Sequence, residues 1–235
     1  MNSNAAFFEW LATHEAARKV VPFRQLFSRE ARPDGCAVVA VDMIKGFCER
    51  GPLASEAVGS LVEPIRDFLL SAREHGVGPV FFPCDAHSPE SPEFEAFPPH
   101  CLAGSEESQL VGALAELKLS PAGQRLDKGS VSSLFGTGLV EKLKESDVHT
   151  IVCVGDCTDL CLYHLAVGLR YYANQEGLKW EVVVPAELVA TYDLPVETAL
   201  EVGALPHPGR LLHSIFLYHL ELNGVRVVRR VGFSD

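Results

Sequence analysis

Short apolar runs alternate along this chain with segments whose apolar residues recur at helical spacing. The runs "CAVVAVDM" (36–43), "GPVFFPCD" (78–85), "HTIVCVGD" (149–156) and "KWEVVVPA" (179–186) are continuously rather than alternately apolar. That pattern suits strands covered on both faces. Between the first two, Val58, Leu61, Val62, Ile65, Leu69 and Ala72 fall at helical spacing and stop at Gly76, a terminal glycine. Pro64 interrupts the pattern and predicts a kink or a restarted helix. Segments 105–117, 138–146, 162–175 and 195–205 also read as helices. The first twenty-odd residues read as a short amphipathic helix, with Phe7, Phe8, Leu11 and His14 or Ala16 on one side. "GVRVVRRVG" (224–232) suits one more strand, at an edge.

Strands alternating with helices through short connections predict an α/β fold: one domain, a three-layer sandwich with a mostly parallel sheet between helices. No repeat or low-complexity linker divides the chain, so the expectation is a helical arm (1–34) followed by one domain (35–235). Composition narrows the function classes. The formal charge of −11 leaves no basic surplus for a phosphate backbone, so nucleic acid is not an expected partner. No stretch approaches the roughly 20 apolar residues of a membrane span, and the N-terminus lacks the features of a secretory signal. The seven cysteines are odd in number, and several lie inside apolar runs, which points to reduced thiols in a cytoplasmic protein.

In open parallel sheets, ligands gather at the carboxyl ends of the strands. Asp42 follows the first run, Asp85 and His87 the second, and "GDCTDLC" (155–161) the third. Cys161 stands at the expected first turn of a helix, where free N–H groups and positive potential favour a thiolate and can hold an oxyanion. Taken alone, it reads better as a small buried residue where helix meets sheet. Cys153, Cys157 and Cys161 do not form a zinc set: the first lies in a strand, and no second pair completes a tetrahedron. Their spacing is not that of a redox pair either. The loop 85–101 offers Asp85, His87, Glu93 and His100 as oxygen and nitrogen ligands for Zn, Fe or Mn. With Glu90 and Glu95 nearby, it reads equally as a solvated acidic loop. Lys128, beside a Gly/Ser stretch, rises above an ordinary exposed lysine only if it shares a pocket with Asp42 and Cys161, where its charge would depress both their pKa values.

Four of these segments, in this order, resemble the nicotinamidases of the isochorismatase-like cysteine hydrolases: "VVAVDMIKGFC", "CDAHSPESPEFEAFPPHC", "LDKGSVSSLF" and "VCVGDCTDLCLYHLA". The resemblance runs from about Ala37 to the C-terminus. It implies an isochorismatase-like fold, a catalytic triad of Asp42, Lys128 and Cys161, and one divalent metal ion, zinc first among the candidates. Asp85, His87 and His100 would hold that ion, with Glu93 as fourth ligand by its place seven residues before His100. It further implies aromatic pocket walls at Phe47 and Phe97, an oxyanion hole from the backbone N–H groups of Cys157 and Cys161, and a cis peptide between Asp156 and Cys157. Where many relatives carry Gln, Asn and Asp after the catalytic aspartate, this chain has Ile44, Lys45 and Gly46, and Lys45 could add positive charge near the pocket.

The implied activity is hydrolysis of nicotinamide to nicotinate and ammonia through a thioester. The alternatives are another amidase of the superfamily acting on a ureido or carbamoyl substrate, or a non-catalytic binding protein on this fold. The metal-ligand set argues against the first and the complete triad against the second. The aromatic N-terminal helix would cover the domain or a neighbour, which makes a homo-oligomer a further expectation.

Overall fold

A computed structural model describes residues 3–26, 32–117 and 123–233. Its strands are β1 (Val20–Pro22), β2 (Cys36–Val41), β3 (Val80–Asp85), β4 (Gln124–Lys128), β5 (Thr150–Asp156), β6 (Glu181–Pro185), β7 (Val189–Ala190), β8 (Arg226–Val228) and β9 (Arg230–Gly232). Its helices are α1 (Ser3–Ala16), α2 (Lys45–Cys48), α3 (Glu56–Gly59), α4 (Val62–Glu74), α5 (Gly112–Ala115), α6 (Leu139–Glu145), α7 (Cys161–Glu176), α8 (Val196–Val202) and α9 (Gly209–Leu222). The main sheet is parallel throughout, in the order β4-β3-β2-β5-β6-β8, with β7 added beside the end of β5.

The four apolar runs are its central strands. Alternate residues along β2 enter opposite cores: Val38 and Ala40 join Ile65 and Leu69 of α4, while Val39 and Val41 join Leu162, Leu165 and Leu169 of α7. Burial on both faces explains why the interiors of these strands are continuously apolar. Each core leucine contributes about 2–5 kcal/mol as judged by truncation to alanine. Pro64 falls in the first turn of α4, after a break at residues 60–61, so the helix restarts where a missing N–H costs nothing. Gly155 has φ +108°, and a Cβ there would stand 2.1 Å from the Val41 carbonyl oxygen. Only glycine lets β5 close on β2 beside Asp42.

Several expectations are corrected. The helix read over 105–117 shrinks to Gly112–Ala115. The preceding residues are spent on α2 instead: Lys45 and Gly46 donate their N–H groups to the carbonyls of Gln109 and Glu107, and the Glu107 carboxylate accepts from Cys101 N–H. The helix at 195–205 ends at Val202, before Gly203 at φ +71°. The single C-terminal strand is two. β8 extends the main sheet, and β9 pairs in parallel with β1, so the arm is stitched to the end of the chain. In the arm, Met1, Asn2 and residues 27–31 lie outside the described residues. Of the apolar face expected on α1, Leu11 is buried but Phe8 is exposed. Phe7 and Trp10 meet Tyr218 of α9, and His14 pairs with Glu221 at 2.7 Å. The helix therefore covers its own domain.

Candidate active site

The register of the sheet builds the centre of the site. Asp85 and Lys128, the last residues of β3 and β4, are direct register partners, and Asp42 is the first residue beyond β2. Lys128 Nζ lies 2.8 Å from Asp42 Oδ2, 2.5 Å from Asp85 Oδ1 and 3.6 Å from Cys161 Sγ, and it donates to the Ser130 carbonyl at 3.1 Å. Asp42 adopts φ +56°, a left-handed conformation that aspartate tolerates better than most residues. Its Oδ1 accepts the Asp85 N–H at 3.0 Å. All three charged side chains are buried. Each is paired, the condition for keeping charge inside a protein.

The electrostatics differ from expectation in one respect. Lys128 was expected to depress both neighbours' pKa values, but burial outweighs it. Desolvation, then Asp85, pushes Asp42 up to about 6, with Lys128 holding it from going higher. Desolvation likewise drives Cys161 well above the usual thiol range despite the ammonium. The resting thiol is neutral and needs a base, and a carboxylate near 6 suits that task at neutral pH. For Asp85, burial is opposed by the Lys128 ammonium and by the adjacent imidazoles of His100 and His87, which together hold it below the ordinary carboxylate range. Lys128 stays firmly charged: burial disfavours the ammonium, but Asp42, Cys161 and Asp85 outweigh that.

A second cluster adjoins the first through Asp85. His87 Nε2 lies 3.4 Å from Asp85 Oδ1 and 3.7 Å from Glu93 Oε1, and His100 Nε2 lies 3.7 Å from Asp85 Oδ2. The loop that carries them is fixed by its backbone. His87 exchanges hydrogen bonds with Cys101 and Ala103, and His100 Nδ1 binds the Pro98 carbonyl at 2.8 Å, which turns Nε2 inward. Both ring nitrogens of His87 are buried without a hydrogen-bond partner. Ligand atoms of Asp85, His87 and His100 lie within 4.8 Å of one another. Two imidazoles, a carboxylate and an orphaned inward nitrogen fit a divalent ion. Glu93 stands at the edge of this group, one of its oxygens committed to the Val131 N–H at 3.1 Å. A second convergence, Asp42, Asp85 and Cys161, is already filled by the Lys128 ammonium.

One cleft lies over both clusters. Phe47, Phe97, His100, Glu93, Cys157 and Cys161 all line it. The Phe47 and Phe97 rings stand 5.7 and 6.2 Å from the His100 ring. The Asp156–Cys157 peptide is cis. Lys45 turns away to Glu106 and Gln109, each at 3.3 Å, and adds no charge to the cleft. Sequence reading missed Phe94, edge-on to both imidazoles, and the wall residues Tyr192 and Asp156. It also missed a brace behind the wall. Asp159 accepts from Thr191 at 2.5 Å and pairs with His207 at 2.7 Å, and the His207 ring stacks on Tyr192 at 3.8 Å. Asp159 was inside a quoted motif, but nothing in the sequence links it to a histidine 48 residues away.

A family model described as the Isochorismatase domain matches residues 36–202, the span that carries every residue of both clusters. The chain belongs to the isochorismatase family. Nicotinamidase 1 of Arabidopsis thaliana is 34% identical over 222 residues, which cover 86% of this chain and 89% of that protein. Among solved structures, the pyrazinamidase/nicotinamidase of Streptococcus mutans superposes with a TM-score of 0.68 at 24% identity, covering 82% of this chain and 99% of that one. The N-carbamoylsarcosine amidase of Thermoplasma acidophilum gives 0.64, also at 24%, covering 85% and 99%. These structural likenesses establish the isochorismatase-like fold and do not choose between amide substrates.

Proposed function

We propose that this protein hydrolyses nicotinamide to nicotinate and ammonia. The observation that carries the reading is the junction at Asp85: a Lys–Asp–Cys centre and an imidazole–carboxylate cluster share one carboxylate beneath one aromatic cleft. The similarity to a plant nicotinamidase over most of both chains supports it.

In this mechanism Asp42 takes the proton of Cys161, and Sγ bonds to the carboxamide carbon as the carbonyl electron pair moves onto oxygen. The backbone N–H groups of Cys157 and Cys161 hold that oxyanion; Cys161 opens α7, where N–H groups lack helical partners. As the carbon–oxygen double bond reforms, the C–N bond breaks, and Asp42 returns its proton to the departing ammonia. Asp42 then takes a proton from water, whose oxygen attacks the thioester carbon. The C–S bond breaks, nicotinate leaves, and Cys161 recovers its proton. Lys128 keeps Asp42 and the developing thiolate in fixed positions. Asp85, His87, His100 and Glu93 would hold one divalent ion, zinc first among the metals suited to them. When bound, that ion supplies a Lewis-acid anchor for the pyridine nitrogen. Phe47 and Phe97 would confine the ring.

Among the described residues no helix is long and apolar enough to cross a membrane, and the seven cysteines are free. A reducing cytoplasm is the compartment this suits, and a small molecule is the partner. The deciding experiment measures ammonia from nicotinamide and from ureido or carbamoyl substrates, before and after chelation. Release from nicotinamide, lost on chelation and restored by zinc, is the expected result. Release only from a ureido or carbamoyl substrate would replace this reading with that of another amidase.

A further inference from the structure

Asp156 has no part in that mechanism, yet it is the most anomalous side chain of the cleft. It ends β5, is 1% exposed and belongs to the cleft wall. Its Oδ2 accepts only the Cys157 thiol, at 3.6 Å, and its Oδ1 is buried with no partner at all. A buried carboxyl oxygen without a donor is destabilising. An apolar side chain would avoid that cost here, since β5 is apolar from Ile151 to Gly155. Such a group calls for a donor arriving from outside the protein.

Its position says which donor. Asp156 directly precedes Cys157, and the charged groups that act on it most are Asp42 and Lys128, at the thiol end of the cleft, with a smaller influence from Asp85. The imidazole–carboxylate cluster, with Phe97, forms the other end. A carboxamide at Cys161 presents two N–H bonds on the side opposite the oxyanion. Asp42 serves the nitrogen as it leaves. We propose that Asp156 Oδ1 accepts a hydrogen bond from the substrate's carboxamide nitrogen, positions that group for attack, and selects primary amides over esters of the same acid. This rests on the amidase reading above. Burial, then Asp42, pushes the Asp156 carboxyl well above the usual carboxylate range.

The test compares wild type with Asp156→Val and Asp156→Asn, all metal-loaded. The substrates are nicotinamide and methyl nicotinate, which keeps the ring nitrogen and carbonyl but has no N–H; the ester is followed by release of nicotinate and by competition with the amide. Asp156→Val should lower kcat/KM for nicotinamide about 10- to 100-fold while leaving the ester constants within threefold. Asp156→Asn, which keeps an acceptor oxygen, should retain the amide-to-ester ratio. The Tm of Asp156→Val should equal or exceed that of wild type, because an unsatisfied buried oxygen is removed. A lowered Tm with equal losses on amide and ester would make Asp156 a structural residue and overturn the proposal, as would an unchanged amide rate in Asp156→Val. Wild type that released no ammonia from nicotinamide would overturn the amidase reading itself, and this proposal with it.

Discussion

The two halves of the cleft floor are built on opposite plans. Asp42, Asp85 and Lys128 sit at the ends of neighbouring parallel strands, held in register by the sheet, and each has a charged partner within 2.8 Å. His87, Glu93 and His100 hang on a loop fixed by backbone bonds, and the donor atoms face one another at 3.4–3.7 Å with His87 unpaired. The first half is electrostatically closed. The second converges ligand atoms of Asp85, His87 and His100 within 4.8 Å, a set that fits a divalent ion. On the proposed function, the thiol is set by the protein's own charges and recognition of the ring is left to an added ion.

Perturbing each half separately sharpens this contrast. Cys161→Ala should lower kcat by about 10⁴-fold or more while bound metal, measured by atomic emission, stays at the wild-type level. Metal loss in that variant would join the two halves into one. Lys128→Met leaves two buried carboxylates facing each other without a cation. It should abolish measurable turnover and cost about 3–5 kcal/mol in denaturant unfolding; a loss of stability under 1 kcal/mol would mean that the carboxylates find other partners. His87→Ala should weaken metal binding at least 10- to 100-fold and raise KM for nicotinamide, with Cys161 still alkylated by iodoacetamide at the wild-type rate. The smallest effect should come from Cys157→Ala, which keeps the backbone N–H. Its kcat/KM should stay within about threefold of wild type, a result that fits a residue acting through its main chain.

The same contrast governs how much could be read from sequence. The central strands are buried on both faces, so their apolar runs end abruptly, and Asp42 and Asp85 mark those ends. β4 was not legible as a strand. It lies at the sheet edge with polar residues on its open side, and "QRLDK" looks like a loop until Asp85 is found beside Lys128. α9 also went unread, because most of its apolar residues are only partly covered and its polar residues interrupt the face. The ligand loop has no period of its own. Its donors were legible as candidate ligands by residue type, but only the family motif set them apart from a solvated acidic loop, and the orphaned nitrogens of His87 became visible only in three dimensions. Tyr192 and His207 went unread, and Asp156 was noted only for its peptide bond, because their meaning lies in contacts between distant segments, or in a missing contact.

Asp85 carries one further implication, for anyone wishing to alter this site. It serves both clusters at once, Oδ1 lying against the ammonium and near His87, and Oδ2 toward His100. Changing metal preference by replacing this residue would also withdraw a counter-charge from Lys128, so the engineer would retune the nucleophile unintentionally. Glu93, whose other commitment is a single backbone N–H, offers a position from which the ion could be exchanged with the thiol left alone. On the proposed function, the chain thus separates an adjustable ligand, Glu93, from one whose identity is fixed twice over, Asp85.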